Sequence, residues 1–424
     1  MVNRIKRSGL RTFYAIFVIF VLQNTETMDK LKEKSVLLIS GQTLTFERYL
    51  LKEINWKNRL ICILGARGTG KTTTMLQRLK LMHAAVGEVL YVSLDDIYFA
   101  THSLVETAET FRQQGGKYLF IDEVHKYPGW AREIKNIYDF YKDLNIVMTG
   151  SSIIEMLGLE VDLSRRARVY ELNGLSFREF LAYDQKIFQD KIQLEDVFKH
   201  HIEIASALNG IKPLRAFKQY LSFGYYPFFK EDPEGYFIQL TQVVNLTIGY
   251  DLAFIQNIDK LQIRKLYQLL GILAAQVPFK PNITSLANTL EMGRATLIQC
   301  LHYLEKAKLV QQVYLEGKGT GVLEKPSKLL LDNPNLFDAL TASPANQGSI
   351  RECFFVNQLR NTGHEVSLAK AGDFVIDQKY IFEVGGAKKK FDQIAGIENS
   401  FIAADDIEIG AGNRIPLWLF GLLY

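Results

Sequence analysis

The sequence predicts an α/β fold built on an open parallel sheet, and three observations carry that prediction. A glycine-rich loop, Gly65-Ala66-Arg67-Gly68-Thr69-Gly70-Lys71-Thr72, fits G-x-x-x-x-G-K-[ST]. Short apolar runs recur between helix-compatible stretches, as in a sheet covered on both faces. One of those runs ends in two carboxylates, Asp122 and Glu123.

The first run, Leu60 to Leu64, reads as a buried strand leading into the loop. Thr73 to Leu81 follows as a helix with apolar Met75, Leu76, Leu79 and Leu81. Strand, glycine loop and helix make a phosphate cradle. Backbone N–H groups of residues 65–73 converge on the anion, and glycines allow close approach. Lys71 is expected at the β/γ-phosphates and the Thr72 hydroxyl on Mg²⁺.

Glu88 to Leu94 reads as a second strand and Lys117 to Asp122 as a third. Asp122 is expected to support Mg²⁺ through water, and Glu123 to polarise an attacking water as general base. The double acid favours ATP over GTP, as does the missing N-K-x-D. A fourth strand, Asn145 to Thr149, runs into Gly150-Ser151-Ser152, so Thr149 or Ser151 is placed to sense the γ-phosphate, and Ser151 is the residue expected to do so. Ser164-Arg165-Arg166-Ala167-Arg168 offers an arginine finger for a neighbouring subunit's nucleotide. Val169 to Leu172 is the fifth strand.

Beyond 175 the texture changes. Ser176 and Glu179 form a capping box that opens a helical region over 176–260, broken at Phe223-Gly224-Tyr225-Tyr226-Pro227 and expected to close as a lid. Residues 261–320 read as a winged helix: helices over Ile263–Ala275, Thr284–Leu290 and Arg294–Lys306, then a strand over Leu309–Tyr314. The helix from Arg294 would enter a DNA major groove. Seven Lys/Arg stand against three acids over 261–318, but Thr296, Gln299 and His302 on the exposed face are polar rather than basic. A protein-docking role therefore stays open beside DNA.

The segment 321–424 carries a weaker constellation. Glu352 is read as beginning a helix, and Asp373 and Glu383 sit on two arms of a hairpin. Three acids so placed are how restriction-type nucleases hold Mg²⁺. The lysine usual two residues after the last acid is replaced by Gly385, and Lys388 is the nearest candidate to reach in. A degenerate, non-catalytic relative is favoured over an active nuclease.

The chain of 424 residues is 48% apolar and 23% charged, typical of globular protein, and its net charge of +4 neither demands nor excludes nucleic acid. Cys62, Cys300 and Cys353 show no metal spacing and read as reduced thiols of a cytoplasmic protein. Arg4, Lys6, Arg7 and Arg11 precede an apolar run over Phe13–Leu22. That run is too short to span a bilayer. Residues 1–30 are read as a leader or an upstream extension, with Met28 as the native start, and no membrane span is expected.

The motif string resembles a bacterial and archaeal family of AAA-type P-loop ATPases, of the AAA+ superfamily. Gly65–Thr73, Phe120–Trp130, Thr149–Ser152, Leu175–Phe180 and Glu352–Leu359 carry the resemblance. It implies a P-loop domain over 31–175 and a C-terminal domain of unknown function similar to restriction-type nucleases. The family's Gly-Arg pair falls on Arg165-Arg166. The expectation is a homo-oligomeric ATPase using Mg-ATP on an unidentified DNA or protein partner. A slow ATP-gated switch and an ATP-regulated nuclease are the alternatives.

Overall fold

Five of the apolar runs meet in one sheet in a computed structural model that describes residues 28–153, 163, 165–208, 212–253, 258, 260–275, 281–317, 325–341 and 345–424. The leader, residues 1–27, lies outside the described residues, as does Ser164. Two compact units form: one from the described residues of 28–64, 71–150 and 163–171, the other from those of 65–70, 151–153 and 172–424.

In the first unit the strands are β1 (Leu60–Gly65), β2 (Val89–Ser93), β3 (Tyr118–Asp122), β4 (Asn145–Ser151) and β5 (Arg168–Glu171). Their order is β2-β3-β4-β1-β5. The pairs β2–β3, β3–β4 and β1–β5 are parallel. β1 is buried along its whole length, the pattern of a strand covered on both faces. Helices Lys71–Leu81, Leu104–Gln113 and Trp130–Phe140 supply the connections. The helix Leu104–Gln113 opens on a Ser103–Glu106 capping box.

Both sheet edges are occupied. A helix over 28–40 lies along β2, where Ser35 Oγ accepts the N–H of Tyr91 at 2.9 Å. At β5, Tyr49 Oη donates to the Glu171 carbonyl and the Asn55 N–H donates to Tyr170 Oη. These bonds satisfy groups that a bare edge would offer to another chain.

The second unit holds a five-stranded mixed sheet, β12-β11-β10-β9-β8. It is built from β8 (Val366–Leu368), β9 (Phe374–Ile376), β10 (Tyr380–Gly385), β11 (Ser400–Ala404) and β12 (Arg414–Pro416). β9 and β10 form the expected hairpin, while β10–β11 and β11–β12 are parallel. Phe198, on the helix Leu194–Ala207, stacks on Phe401 with ring centroids 4.7 Å apart and fixes that helix to the sheet. The expected Ser176–Glu179 capping box is present and opens an α-helix, Phe177–Phe180, that continues as a π-helical turn over Leu181–Gln185.

Helices Lys260–Ala275, Ile283–Thr289 and Arg294–Lys306 follow in the same unit. The last leads into an antiparallel pair, β6 (Val310–Val313) with β7 (Lys328–Leu331). Glu352 does not begin its helix, which runs Gln347–Asn361. The Asn346 side chain caps it by accepting from the N–H groups of Gly348 and Ser349, so the start lies a turn and a half earlier than the apolar pattern suggests. Among the described residues, no helix is long and apolar enough to cross a membrane.

Candidate nucleotide site

Asp122 is the hub of the sheet unit's site. It ends β3, is 2% exposed, and gathers three hydroxyls from three other elements. Thr72, in the first turn of the helix Lys71–Leu81, donates Oγ1–H to Asp122 Oδ2 at 2.6 Å. Tyr91 on β2 donates Oη–H to the same oxygen at 2.8 Å. Thr149 on β4 donates to Asp122 Oδ1 and accepts the Glu123 N–H at 3.2 Å. A buried carboxylate is tolerable only with such partners.

Sheet register explains why Thr149 takes this place. Ile121 pairs with Met148, which sets Asp122 level with Thr149. Ser151 lies two residues further on, about 6.6 Å along the strand. Its hydroxyl accepts the N–H of Ile153 at 3.5 Å. Thr149 is thus bonded to both members of the acid pair, to the Asp122 carboxylate and to the Glu123 N–H.

Tyr91 escaped sequence reasoning, although a tyrosine in the otherwise aliphatic Val89-Leu90-Tyr91-Val92 was a usable signal. Burial first, and then the Asp122 charge, push its phenol well above the ordinary value, so it remains a donor.

Glu123 leaves the strand in a left-handed conformation, φ 54°. That backbone is unfavourable for a residue with a side chain. Its Oε2 lies 3.3 Å from Nε2 of His125, whose side chain is 3% exposed. No motif pairs these two residues. Arg166, the candidate finger, is bonded through Nε and Nη2 to both carboxylate oxygens of Asp139 on the helix Trp130–Phe140, each at 3.0 Å. The planar fork of arginine suits that geometry.

The loop itself, Gly65–Gly70, groups with the second unit. Gly68 has φ +84°, and a Cβ there would come within 3.0 Å of the Phe228 ring. Glycine is required on both counts. Thr69 Oγ1 donates to the Ala66 carbonyl at 2.9 Å and braces the turn. Arg67 makes a forked contact with Asp251, Nη2 to Oδ1 at 2.9 Å and Nε to Oδ2 at 3.2 Å.

The C-terminal acids do come together, around lysines. Lys389 Nζ pairs with Glu383 and lies 3.8 Å from Asp373. Lys328 Nζ pairs with Glu352 at 2.5 Å. Lys389, not Lys388, reaches in, and the reason is Gly385. A Cβ at Gly385 would meet Lys389 Cδ at 2.8 Å, so the lysine stem folds back over the bare glycine. Among the described residues, no three His, Cys, Asp or Glu stand so as to hold a metal ion. Glu352 and Glu383 are each paired with a lysine in this arrangement.

Residues 57–181 match the family described as an AAA domain. Residues 214–346 match a domain of unknown function (DUF8612). The glycine-rich loop and the acid pair Asp122–Glu123 lie inside the matched region 57–181. The chain is 29% identical over 298 residues to the uncharacterized protein MJ1637 of Methanocaldococcus jannaschii, covering 65% of this chain and 61% of that protein. It is also similar to the AMPPCP-bound DnaA structure from Aquifex aeolicus, with 16% identity, 61% of this chain and 85% of that one covered, and a TM-score of 0.26. The S. cerevisiae Hsp104–ADP complex gives 16% identity, 65% and 37% coverage, and a TM-score of 0.26.

Proposed function

We propose that this chain binds ATP and hydrolyses it. The observation that carries the reading is the 2.6 Å bond from the Thr72 hydroxyl to Asp122, at the foot of a G-x-x-x-x-G-K-T loop. A hydroxyl beside a carboxylate is an all-oxygen donor set of the kind Mg²⁺ takes, with its remaining positions left to water and phosphate. Thr72 and Asp122 would hold the ion, which supplies charge neutralisation at the phosphates when bound. The N–H groups of residues 65–73 and the Lys71 ammonium bind and orient the triphosphate. Glu123 polarises the attacking water, and the Thr149 hydroxyl fixes the Glu123 backbone from which that carboxylate projects.

A second reading has its own observation. Glu123 is turned to His125. Glu123 Oε2 and His125 Nε2 stand 3.3 Å apart without a hydrogen bond between them. A base turned toward a buried ring instead of toward the phosphate site favours slow turnover, and hence a nucleotide-gated switch over a fast motor. The helices Ile283–Thr289 and Arg294–Lys306 with the hairpin β6–β7 support a winged helix as the partner-binding part, with DNA or a protein as its ligand. Arg166 would act on a neighbouring copy's nucleotide only after leaving Asp139.

The deciding experiment is steady-state ATP hydrolysis by the full chain, with and without duplex DNA. Lys71→Ala and Glu123→Gln serve as controls. Turnover lost in both variants supports the ATPase, and a rise with DNA identifies the partner class. Tight binding without turnover leaves the switch, and no binding at all sinks both readings.

A further inference from the structure

The phosphate loop has a support that no catalytic role accounts for. Arg67, inside the loop, reaches the helical segment Thr247–Leu252. There it meets Asp251, whose side chain is 1% exposed, through two parallel N–H···O bonds. A forked arginine–carboxylate pair fixes direction as well as distance. Burial raises the stakes, because an acid removed from water needs compensation and the Arg67 guanidinium supplies part of it. A second contact lies next door. The Phe228 and Tyr226 rings sit over Gly68, at 3.0 and 3.5 Å from where a Cβ would stand. These two rings stack on each other, centroids 5.5 Å apart and 27° from parallel. The loop is thus gripped at adjacent residues, ionically at Arg67 and by ring faces at Gly68.

We propose that Asp251 is a positioning residue for the phosphate loop, acting through Arg67 to hold residues 65–70 in their anion-binding shape. The proposal rests on the reading that this loop takes ATP. The physical case is preorganisation. A loop whose N–H groups already converge loses little conformational freedom when the triphosphate arrives. With the tether cut, that ordering is charged to binding. Asp251 lies within the region 214–346, outside the AAA match at 57–181. Whatever displaces the segment 247–252 changes ATP affinity, and ATP resists that displacement by the same factor.

The test is calorimetric titration of Mg-ATP and Mg-ADP into the full chain, comparing wild type, Asp251→Asn, Asp251→Glu, Arg67→Met and the double Arg67→Met/Asp251→Asn. Each single neutralising change is expected to weaken both nucleotides about tenfold, the middle of the usual range for coupled sites. The double should be no weaker than either single, and Asp251→Glu should recover most of the loss. Amide exchange of the 65–72 peptide should quicken in Asp251→Asn while peptides from β3 and β4 keep their protection. The double leaves no buried charge unpaired, so it reports even where Asp251→Asn does not fold. Wild-type affinity in a folded Asp251→Asn or in the double overturns the proposal, as does a double that loses the product of both single effects. A wild-type chain that binds no ATP overturns the nucleotide reading itself, and this inference with it.

Discussion

His125 Nε2 stands 3.3 Å from Glu123 Oε2, and only one residue separates them in the chain. The contact exists because Glu123 turns left-handed at the end of β3 and Val124–Lys126 curls into a single helical turn. The expected general base therefore stands beside a buried ring, with no hydrogen bond between the two atoms. Replacing His125 by Ala is expected to release the carboxylate and raise kcat several-fold at saturating ATP. Glu123→Gln should lower kcat by about 10²-fold or more, the ordinary worth of a general base. Both are read in one steady-state assay, and a slower His125→Ala enzyme would show that the ring orients the base instead of restraining it.

The two hydroxyls at the end of β4 separate cleanly by mutation. Thr149→Val removes a donor to Asp122 and the acceptor of the Glu123 N–H. The expected outcome is a marked fall in kcat and a stability loss of about 1.5–3 kcal/mol by urea unfolding, the usual value for hydrogen bonds to charged groups. Ser151→Ala should leave stability almost unchanged. Equal losses in the two variants would undo the assignment of Thr149.

Tyr91→Phe deletes the third donor to Asp122 while keeping the ring buried. Stability should fall by about 1–3 kcal/mol because one carboxylate oxygen loses a partner. The loss should vanish in an Asp122→Asn background if the two residues act as one unit, which a double-mutant cycle measures directly.

All three thiols are buried. Burial pushes Cys300 up to about 11 and moves Cys353 upward as well. The thiolate is the reactive form, so labelling with a disulfide reagent at pH 8 should be slow in the native chain and fast after denaturation. Rapid native labelling at Cys300 would mean that the helix Arg294–Lys306 opens readily.

Glu383 is fully buried and paired with Lys389. Glu383→Gln should destabilise the chain by no more than about 1–3 kcal/mol. Lys389 is partly exposed and can turn to water, and burial already disfavours the Glu383 charge. Supercoiled plasmid incubated with the full chain and Mg²⁺ or Mn²⁺ should stay intact. Metal-dependent nicking abolished by Glu383→Gln would restore the nuclease reading.

Local order made much of this legible. The strand before the loop, the Ser176–Glu179 capping box and the β9–β10 hairpin all follow from periodicity and cap chemistry within a few residues. The contacts that proved informative join distant positions. Arg67 and Asp251 are 184 residues apart, and Tyr91 reaches Asp122 only because β2 and β3 are neighbours. Periodicity carries no information about such pairs. Lys389 was missed for a subtler reason. The lysine's usual place is filled by Gly385, and only the folded-back turn shows that the missing side chain leaves room for a later one.

The bond from the Tyr91 N–H to Ser35 has a practical side. β2 is the outermost strand, and the helix over 28–40 is what covers it. A chain shortened past Ser35 would bare a row of backbone donors and acceptors, a template for strand addition by a second molecule. Poor solubility of such a truncation would report an uncovered edge, not a misfolded sheet.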